Sequence, residues 1–204
     1  MIIGAEQIGK RFNKNWVFKN ISGQFRSGEM IAITGPNGSG KSTLMQILWG
    51  QTLPSSGVIS WSQDSKNIDP SDLWSFISIA APYQDLIDEF TLEEQIDFHF
   101  RYKNPFKGIG KKELVTTLFL EDSLKKRIEH FSSGMRQRLR LGLALYSDVA
   151  VTFLDEPTTN LDQKGAAWYR QLLSDISNRL IFIATNTESD YPDTSRILKL
   201  NDFN

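Results

Sequence analysis

An α/β fold with a mostly parallel sheet is predicted by three features of the chain. The first is an apolar run, Met30-Ile-Ala-Ile-Thr34, followed by the glycine-rich stretch Gly35-Pro36-Asn37-Gly38-Ser39-Gly40-Lys41-Ser42-Thr43 and the apolar pattern Leu44-Met-Gln-Ile-Leu-Trp49, which reads as strand, loop and helix. The second is a pair of further buried-type strands, Ala150-Val-Thr-Phe-Leu154 and Leu180-Ile-Phe-Ile-Ala184, each ending in polar residues. The third is a change of texture over about 85–147, from strands with glycine turns to helical patterns, which predicts a helical subdomain inserted into the core.

The bulk numbers agree with one domain spanning 1–204. A chain of 204 residues can bury one sizeable core and is short for two full domains. Lys+Arg 23 against Asp+Glu 24 leaves a net charge of -1 without a long basic run, so nucleic acid is not an expected main partner. Absence of cysteine excludes a disulfide framework and thiolate metal sites, and His99 and His130 alone make no metal cluster. The N-terminus lacks the pattern of a signal peptide, and the longest apolar stretches fall far short of the ~20 residues of a spanning helix. A soluble chain is therefore expected, with any membrane role exercised through a partner.

In chain order, Ile2 to Ile8 and Val17 to Phe25 read as two strands joined by the polar turn Lys10 to Asn15, an N-terminal antiparallel β subdomain. Phe12 and Trp16 are exposed aromatics there, able either to stack on a purine or to cap a sheet edge. Gly50 and Pro54-Ser-Ser-Gly57 end the helix after the glycine loop, and Val58-Ile-Ser-Trp61 restarts a strand. Trp61 and Trp74 are expected as core or packing residues. Ile77 to Ala81 is another strand, closed by Pro82, with Tyr83-Gln84 at its exit. Thr91-Leu-Glu-Glu94 is a capping box opening a helix to about Tyr102. Glu113 to Leu120 is a second helix, and Ser132-Ser133-Gly134 opens a third that carries Leu139, Leu141, Leu143 and Leu145 between arginines. Asp155-Glu156-Pro157 follows the strand ending at Leu154. A helix from about Lys164 to Ser177, the strand ending at Ala184 before Thr185-Asn186, and a short strand from Arg196 to Leu200 complete the chain.

Chemistry concentrates at the loop ends. Gly35 to Thr43 fits G-x-x-x-x-G-K-[ST], so the core is expected to be a P-loop NTPase: backbone N–H groups and a helix N-terminus surround phosphate, Lys41 reaches the β/γ-phosphates, and the Ser42 hydroxyl ligates Mg²⁺. Asp155 and Glu156 sit at the carboxyl end of a strand, where ligands of open α/β sheets collect, and two adjacent carboxylates there call for a cation or a catalytic task. Small residues at Ser132-Ser133-Gly134 describe either an anion site or an ordinary helix start.

With the P-loop, Gln84, Ser132-Ser133-Gly134, Asp155-Glu156-Pro157 and Leu161-Asp162 in this order, the chain resembles the nucleotide-binding subunit of the ATP-binding-cassette (ABC) family. That resemblance implies that Phe12, with Trp16 as the substitute, stacks on adenine, that Gly35 to Thr43 hold the phosphates of ATP, and that Gln84 touches Mg²⁺ and the attacking water. It implies that Asp155 holds Mg²⁺ through water, that Glu156 orients or deprotonates the attacking water, and that Ser132, Ser133 and Gly134 contact ATP held by a second subunit. Asp162 would meet its counterpart across that dimer. Phe131-Ser-Ser-Gly-Met135 departs from the family's Leu-Ser-Gly-Gly-Gln, and Asn186 stands where the family usually has histidine, which weakens the expectation of rapid hydrolysis. The implied function is an ATPase that dimerises, with itself or a paralogue, around Mg-ATP and drives an integral membrane transporter subunit from the cytoplasmic face. Two alternatives are a soluble assembly factor and a weakly hydrolysing ATP-driven switch. Apolar Tyr83, Leu86, Ile87 and Phe90 suit either a groove for a transporter helix or the core of the helical subdomain.

Overall fold

The computed structural model describes residues 1–176 and 178–203, so Ser177, the expected helix end, lies outside the described residues. In chain order the elements are β1 (Ile2–Phe12), β2 (Asn15–Arg26), β3 (Met30–Thr34), α1 (Lys41–Leu48), β4 (Ser56–Gln63), β5 (Lys66–Asn67), β6 (Ile77–Ala80), α2 (Leu92–His99), α3 (Lys111–Thr117), α4 (Ser133–Leu145), β7 (Val151–Asp155), α5 (Gln163–Asp175), β8 (Leu180–Ala184) and β9 (Arg196–Lys199). Among the described residues the strands form an antiparallel sheet in the order β2-β1-β4-β5 and a parallel sheet in the order β6-β7-β8-β3-β9.

The central parallel strands β3, β7 and β8 are buried on both faces, as their apolar runs require, whereas the edge strand β9 buries only Leu198. Alternate side chains go to opposite sides. On β8, Leu180, Phe182 and Ala184 join a core shared with the antiparallel sheet and α1, whereas Ile181 and Ile183 join a core under α4 and α5. Phe153 and Phe182 stack on the first side with centroids 5.1 Å apart. A further apolar cluster lies in the helical stretch, where Leu92 and Ile96 of α2 meet Leu114 and Val115 of α3. Helix α4 joins two of these cores: Leu139 and Leu143, one turn apart, face the helical cluster, while Leu141 and Leu145 face the parallel sheet. The alternating leucines are thus two stripes on one helix.

Several local expectations are met. The capping box at α2 is complete, with Glu94 N–H donating to Thr91 Oγ1 at 3.3 Å and Thr91 N–H to Glu94 Oε2 at 2.8 Å, although the helix ends at His99 rather than near Tyr102. Two others are corrected. The expected six-residue turn between β1 and β2 shrinks to Asn13-Lys14, with Asn13 at φ 56°, a conformation asparagine tolerates. Phe12 and Trp16 consequently belong to strands. Trp61 is buried and its indole N–H donates to the Leu48 carbonyl at 2.8 Å, but Trp74 is 56% exposed. It sits on a 3₁₀ turn, Pro70–Ser75, that buries only Leu73.

Candidate functional site

The strand order puts three loops side by side. Because β8 lies between β7 and β3 and all run parallel, the residues after Thr34, Asp155 and Ala184 emerge at one edge of the sheet, the edge at which such sheets bind ligands. Gly40 caps α1 at φ 98°, and a Cβ there would lie 2.4 Å from Val17 Cγ1. Only glycine lets the loop close so tightly against β2. Phe12, Val17, Asn37, Gly38, Lys41 and Glu156 are among the residues lining the resulting cleft of about 490 Å³. Phe12, 54% exposed, is at its rim, whereas Trp16 packs beside Arg11 and Lys19 outside it.

Lys41 is buried and folded back on its own loop. Its ammonium donates to the carbonyls of Gly35 at 2.8 Å and Pro36 at 3.3 Å and to Asn186 Oδ1 at 2.9 Å, with Glu156 Oε1 3.8 Å away. All three ammonium protons are therefore engaged by the chain's own oxygens. Asn186 is held at both ends, since its Nδ2 donates to Asn37 Oδ1 at 2.6 Å. Glu156 has φ 48°, a sharp departure from β7 for a residue with a side chain. Burial pushes its carboxyl up, Lys41 opposes this, and Asp155 adds to it.

Asp155 is 1% exposed. One oxygen, Oδ2, accepts from the Tyr83 hydroxyl at 2.7 Å, and the other, Oδ1, is buried without a hydrogen-bond partner among the described residues. Burial, then the bond to Asp155, push the Tyr83 hydroxyl up, so it is a neutral donor. Ser39 Oγ, in the glycine loop, is likewise buried and unpartnered. Orphaned buried oxygens are uncommon in folded chains. An open carboxylate oxygen beside the Ser42 end of α1 fits a hard, oxygen-seeking cation such as Mg²⁺. Among the described residues no group of three or more His, Cys, Asp or Glu could hold a metal, so a cation here would depend on Asp155, Ser42 and ligand oxygens.

The remaining expected residues lie elsewhere. Gln84 is exposed; its carbonyl accepts from Arg140 Nε at 3.0 Å, and Tyr83, one residue earlier, is the side chain that meets Asp155. Ser132 caps α4, its Oγ accepting from Met135 N–H at 3.2 Å, and Ser133 is exposed in the first turn. Gly134 approaches the loop after β7 so closely that a Cβ would be 2.9 Å from the Asn160 carbonyl. Gln137 of α4 donates to the Pro157 carbonyl at 2.8 Å. Asp162 caps α5 by accepting from Gly165 N–H at 2.8 Å. None of Ser132, Ser133 and Gly134 lines the cleft at Lys41.

A family model described as ABC transporter matches residues 18–159, which is most of the chain and includes the glycine loop, the α4 start and Asp155-Glu156. The chain belongs to the ABC transporter family. Relatives of this ABC chain include the uncharacterized ABC transporter ATP-binding protein YcbN of Bacillus subtilis, 29% identical over 86% of this chain and 57% of that protein. Another is the Nod factor export ATP-binding protein I of Rhizobium sp., 32% identical over 76% of this chain and 52% of that protein. The sulfate/thiosulfate import ATP-binding protein CysA of Pseudomonas syringae is 29% identical over 98% of this chain and 65% of that protein. The ABC chain spans little more than half the length of the first two. Among solved structures, the dimeric ATP-binding cassette MJ0796 in a post-hydrolysis state bound to ADP and Pi superposes with a TM-score of 0.80 at 21% identity, over 97% of this chain and 93% of that one. At that identity the likeness shows the shared P-loop ABC cassette fold. No helix among the described residues is long and apolar enough to cross a membrane.

Proposed function

We propose that this chain is an ATP-binding and ATP-hydrolysing subunit that dimerises around nucleotide and drives a separate integral membrane transporter subunit. The observation that carries the reading is the convergence of Lys41, Asp155, Glu156 and Asn186 at one sheet edge, with Asp155 Oδ1 buried and unpaired. In this reading Lys41 leaves its own carbonyls to bind the phosphates of ATP, Phe12 stacks on the base, and the glycine-loop N–H groups from Gly35 to Thr43 hold the phosphate oxygens. Ser42 and Asp155 would hold Mg²⁺, which when bound neutralises charge on the phosphates. Glu156, turned out of β7 toward Lys41, orients the attacking water and accepts its proton. Ser132 and Ser133 are exposed at the start of α4, with Gly134 packed against the Asn160 carbonyl, and this helix start would receive the nucleotide of a second copy or a paralogue, with Asp162 beside that interface. The helical stretch, about 85–147, together with the 3₁₀ turn that carries Trp74, offers the docking side for the membrane subunit: Trp74, Phe98 and Tyr102 are exposed around a cleft also lined by Leu86 and Arg140. Such a subunit works at the cytoplasmic face of the membrane.

Glu156→Gln tests the reading. It should retain ATP binding, lose turnover and elute as a dimer on gel filtration with excess Mg-ATP. A variant that binds ATP and stays monomeric would sink the dimer model. Asn186 favours a second reading, a switch that closes on ATP and hydrolyses it slowly, because an amide already bridging Lys41 and Asn37 cannot become a cation. Steady phosphate release by the purified chain, abolished by Glu156→Gln, would exclude it.

A further inference from the structure

The residue that reaches the cation end of this site from the β6 exit loop is a tyrosine. β6 and β7 are parallel neighbours, with Ala80 opposite Leu154, so the loop after β6 emerges beside Asp155. Its chain turns at once: Gln84 N–H donates to the Ala81 carbonyl at 3.0 Å. That turn aims Tyr83 back at the sheet edge and leaves the next residue, Gln84, exposed, its carbonyl tied to Arg140. The Tyr83 ring is 47% exposed, yet its hydroxyl reaches inward to a carboxylate that is 1% exposed, and it faces the Ser42 hydroxyl as well.

We propose that Tyr83 is the positioning residue of the cation site: its hydroxyl fixes Asp155 by Oδ2 and so presents the bare Oδ1 to the cation that accompanies the nucleotide. The choice of donor matters. A lysine or arginine at this point would spend the carboxylate's charge on an ion pair, whereas a neutral phenol restrains its direction and leaves its charge for the metal. A carboxylate with one oxygen held and the other open is a preorganised single-oxygen ligand, of the kind that suits a cation keeping most of its shell from water and phosphate. The Gln84 amide has no part in this arrangement, and its side chain lines clefts that do not include Lys41 or Asp155. The loop continues into Leu86, packed in the helical cluster, and Ile87 N–H donates to Gln95 Oε1 at 2.9 Å. The loop after Tyr83 thus runs from the cation site directly into the helical stretch.

The inference rests on the nucleotide-binding reading, and the experiment separates the two. With the purified chain, ADP affinity is measured in EDTA by calorimetry, and Mn²⁺ affinity is measured by electron paramagnetic resonance at saturating ADP. Tyr83→Phe, at a half-exposed residue, should keep its melting temperature and its metal-free ADP affinity while Mn²⁺ binding weakens about threefold to tenfold, the scale of one ordinary net hydrogen bond acting through Asp155. Gln84→Ala should stay within about twofold of the parent in both measurements, less than any such hydrogen bond would cost. Unchanged or tighter Mn²⁺ binding in Tyr83→Phe would overturn the inference, as would a loss carried by Gln84→Ala. A parallel fall in metal-free ADP affinity would also overturn it, by showing that the hydroxyl shapes the cleft as a whole. A parent chain that binds no ADP at all would overturn the nucleotide reading itself, and this inference with it.

Discussion

The sheet edge around Lys41 and the helical stretch around α2 treat their polar groups in opposite ways. In the helical stretch charges pair with one another: Lys111 reaches Asp97 at 2.7 Å, Glu93 takes both Lys111 and Lys125, Arg136 takes Asp88, and His99 Nε2 shares a hydrogen with Ser147 Oγ at 2.8 Å. At the sheet edge, Asp155 Oδ1 and Ser39 Oγ are buried with no partner, and Lys41 is satisfied only by loop oxygens that a phosphate can replace. A closed polar network specifies a fold, and an open one is a place waiting for a ligand. The contrast is one of degree, since Arg138 Nε of α4 is also buried without a hydrogen-bond partner among the described residues, and it can be attacked from both sides.

The largest effect is expected at the open end. Lys41→Ala removes the one buried cation at the edge and should weaken ATP binding by about 100-fold or more, as the loss of charge-assisted hydrogen bonds to phosphate would give. Titration with a fluorescent ATP analogue checks this, and a loss under about fivefold would mean that the glycine-loop N–H groups suffice alone. Next comes the seam between the two regions. Gly134→Ala sets a Cβ against the Asn160 carbonyl and should cost about 1–3 kcal/mol, whereas Gly110→Ala, with nothing within 4 Å of its Cβ, should stay within about 0.5 kcal/mol of the parent. Urea unfolding of both variants measures the difference, and equal midpoints would show that α4 rides freely over the loop.

The two regions were also unequally legible in the sequence. The glycine loop, the Asp155-Glu156 strand exit and the capping box at Thr91 are written in contiguous residues whose types have a local physical meaning, and all are found where the pattern put them. Tyr83 escaped because its role depends on which strand lies beside β6, a non-local fact, and because a tyrosine next to Leu86 and Ile87 looks apolar in a pattern. Its position at a strand exit, three residues before Leu86, was the only local signal. Phe12 was set above Trp16 by the resemblance alone, and the two-residue turn supplies the geometry, with Phe12 among the residues lining the cleft and Trp16 outside it. Trp74 was misjudged because a 3₁₀ turn buries one side chain, here Leu73, and composition does not say which.

A smaller effect probes the closed region. Burial, then the neighbouring Lys103, lower His99 to about 4. A histidine held neutral in the fold binds its proton more readily when unfolded, so its contribution to stability is present above the ordinary value near 6.5 and is lost as pH falls toward about 4. Unfolding free energy should fall between those values with a slope on the order of 1 kcal/mol per pH unit steeper than in His99→Gln. Superposable pH profiles from urea unfolding would mean that the His99–Ser147 pair opens to water.

The smallest expected effect lies at Asn186, where the two regimes meet in one side chain. Its carbonyl oxygen satisfies Lys41 and its amide nitrogen satisfies Asn37, so it behaves like the paired groups of the helical stretch while standing at the open edge. Binding of a phosphate must break at least one of these bonds, and a neutral amide returns a single donor to it. Asn186→His offers an imidazole that can donate to phosphate and carry charge, and should raise steady ATP turnover about threefold, the scale of a modest gain in one hydrogen bond. An unchanged or lower rate would mean that the amide bridge between Lys41 and Asn37 is itself what keeps the loop in register, and that the edge at this point is closed by design of the sequence in the same sense as the helical stretch.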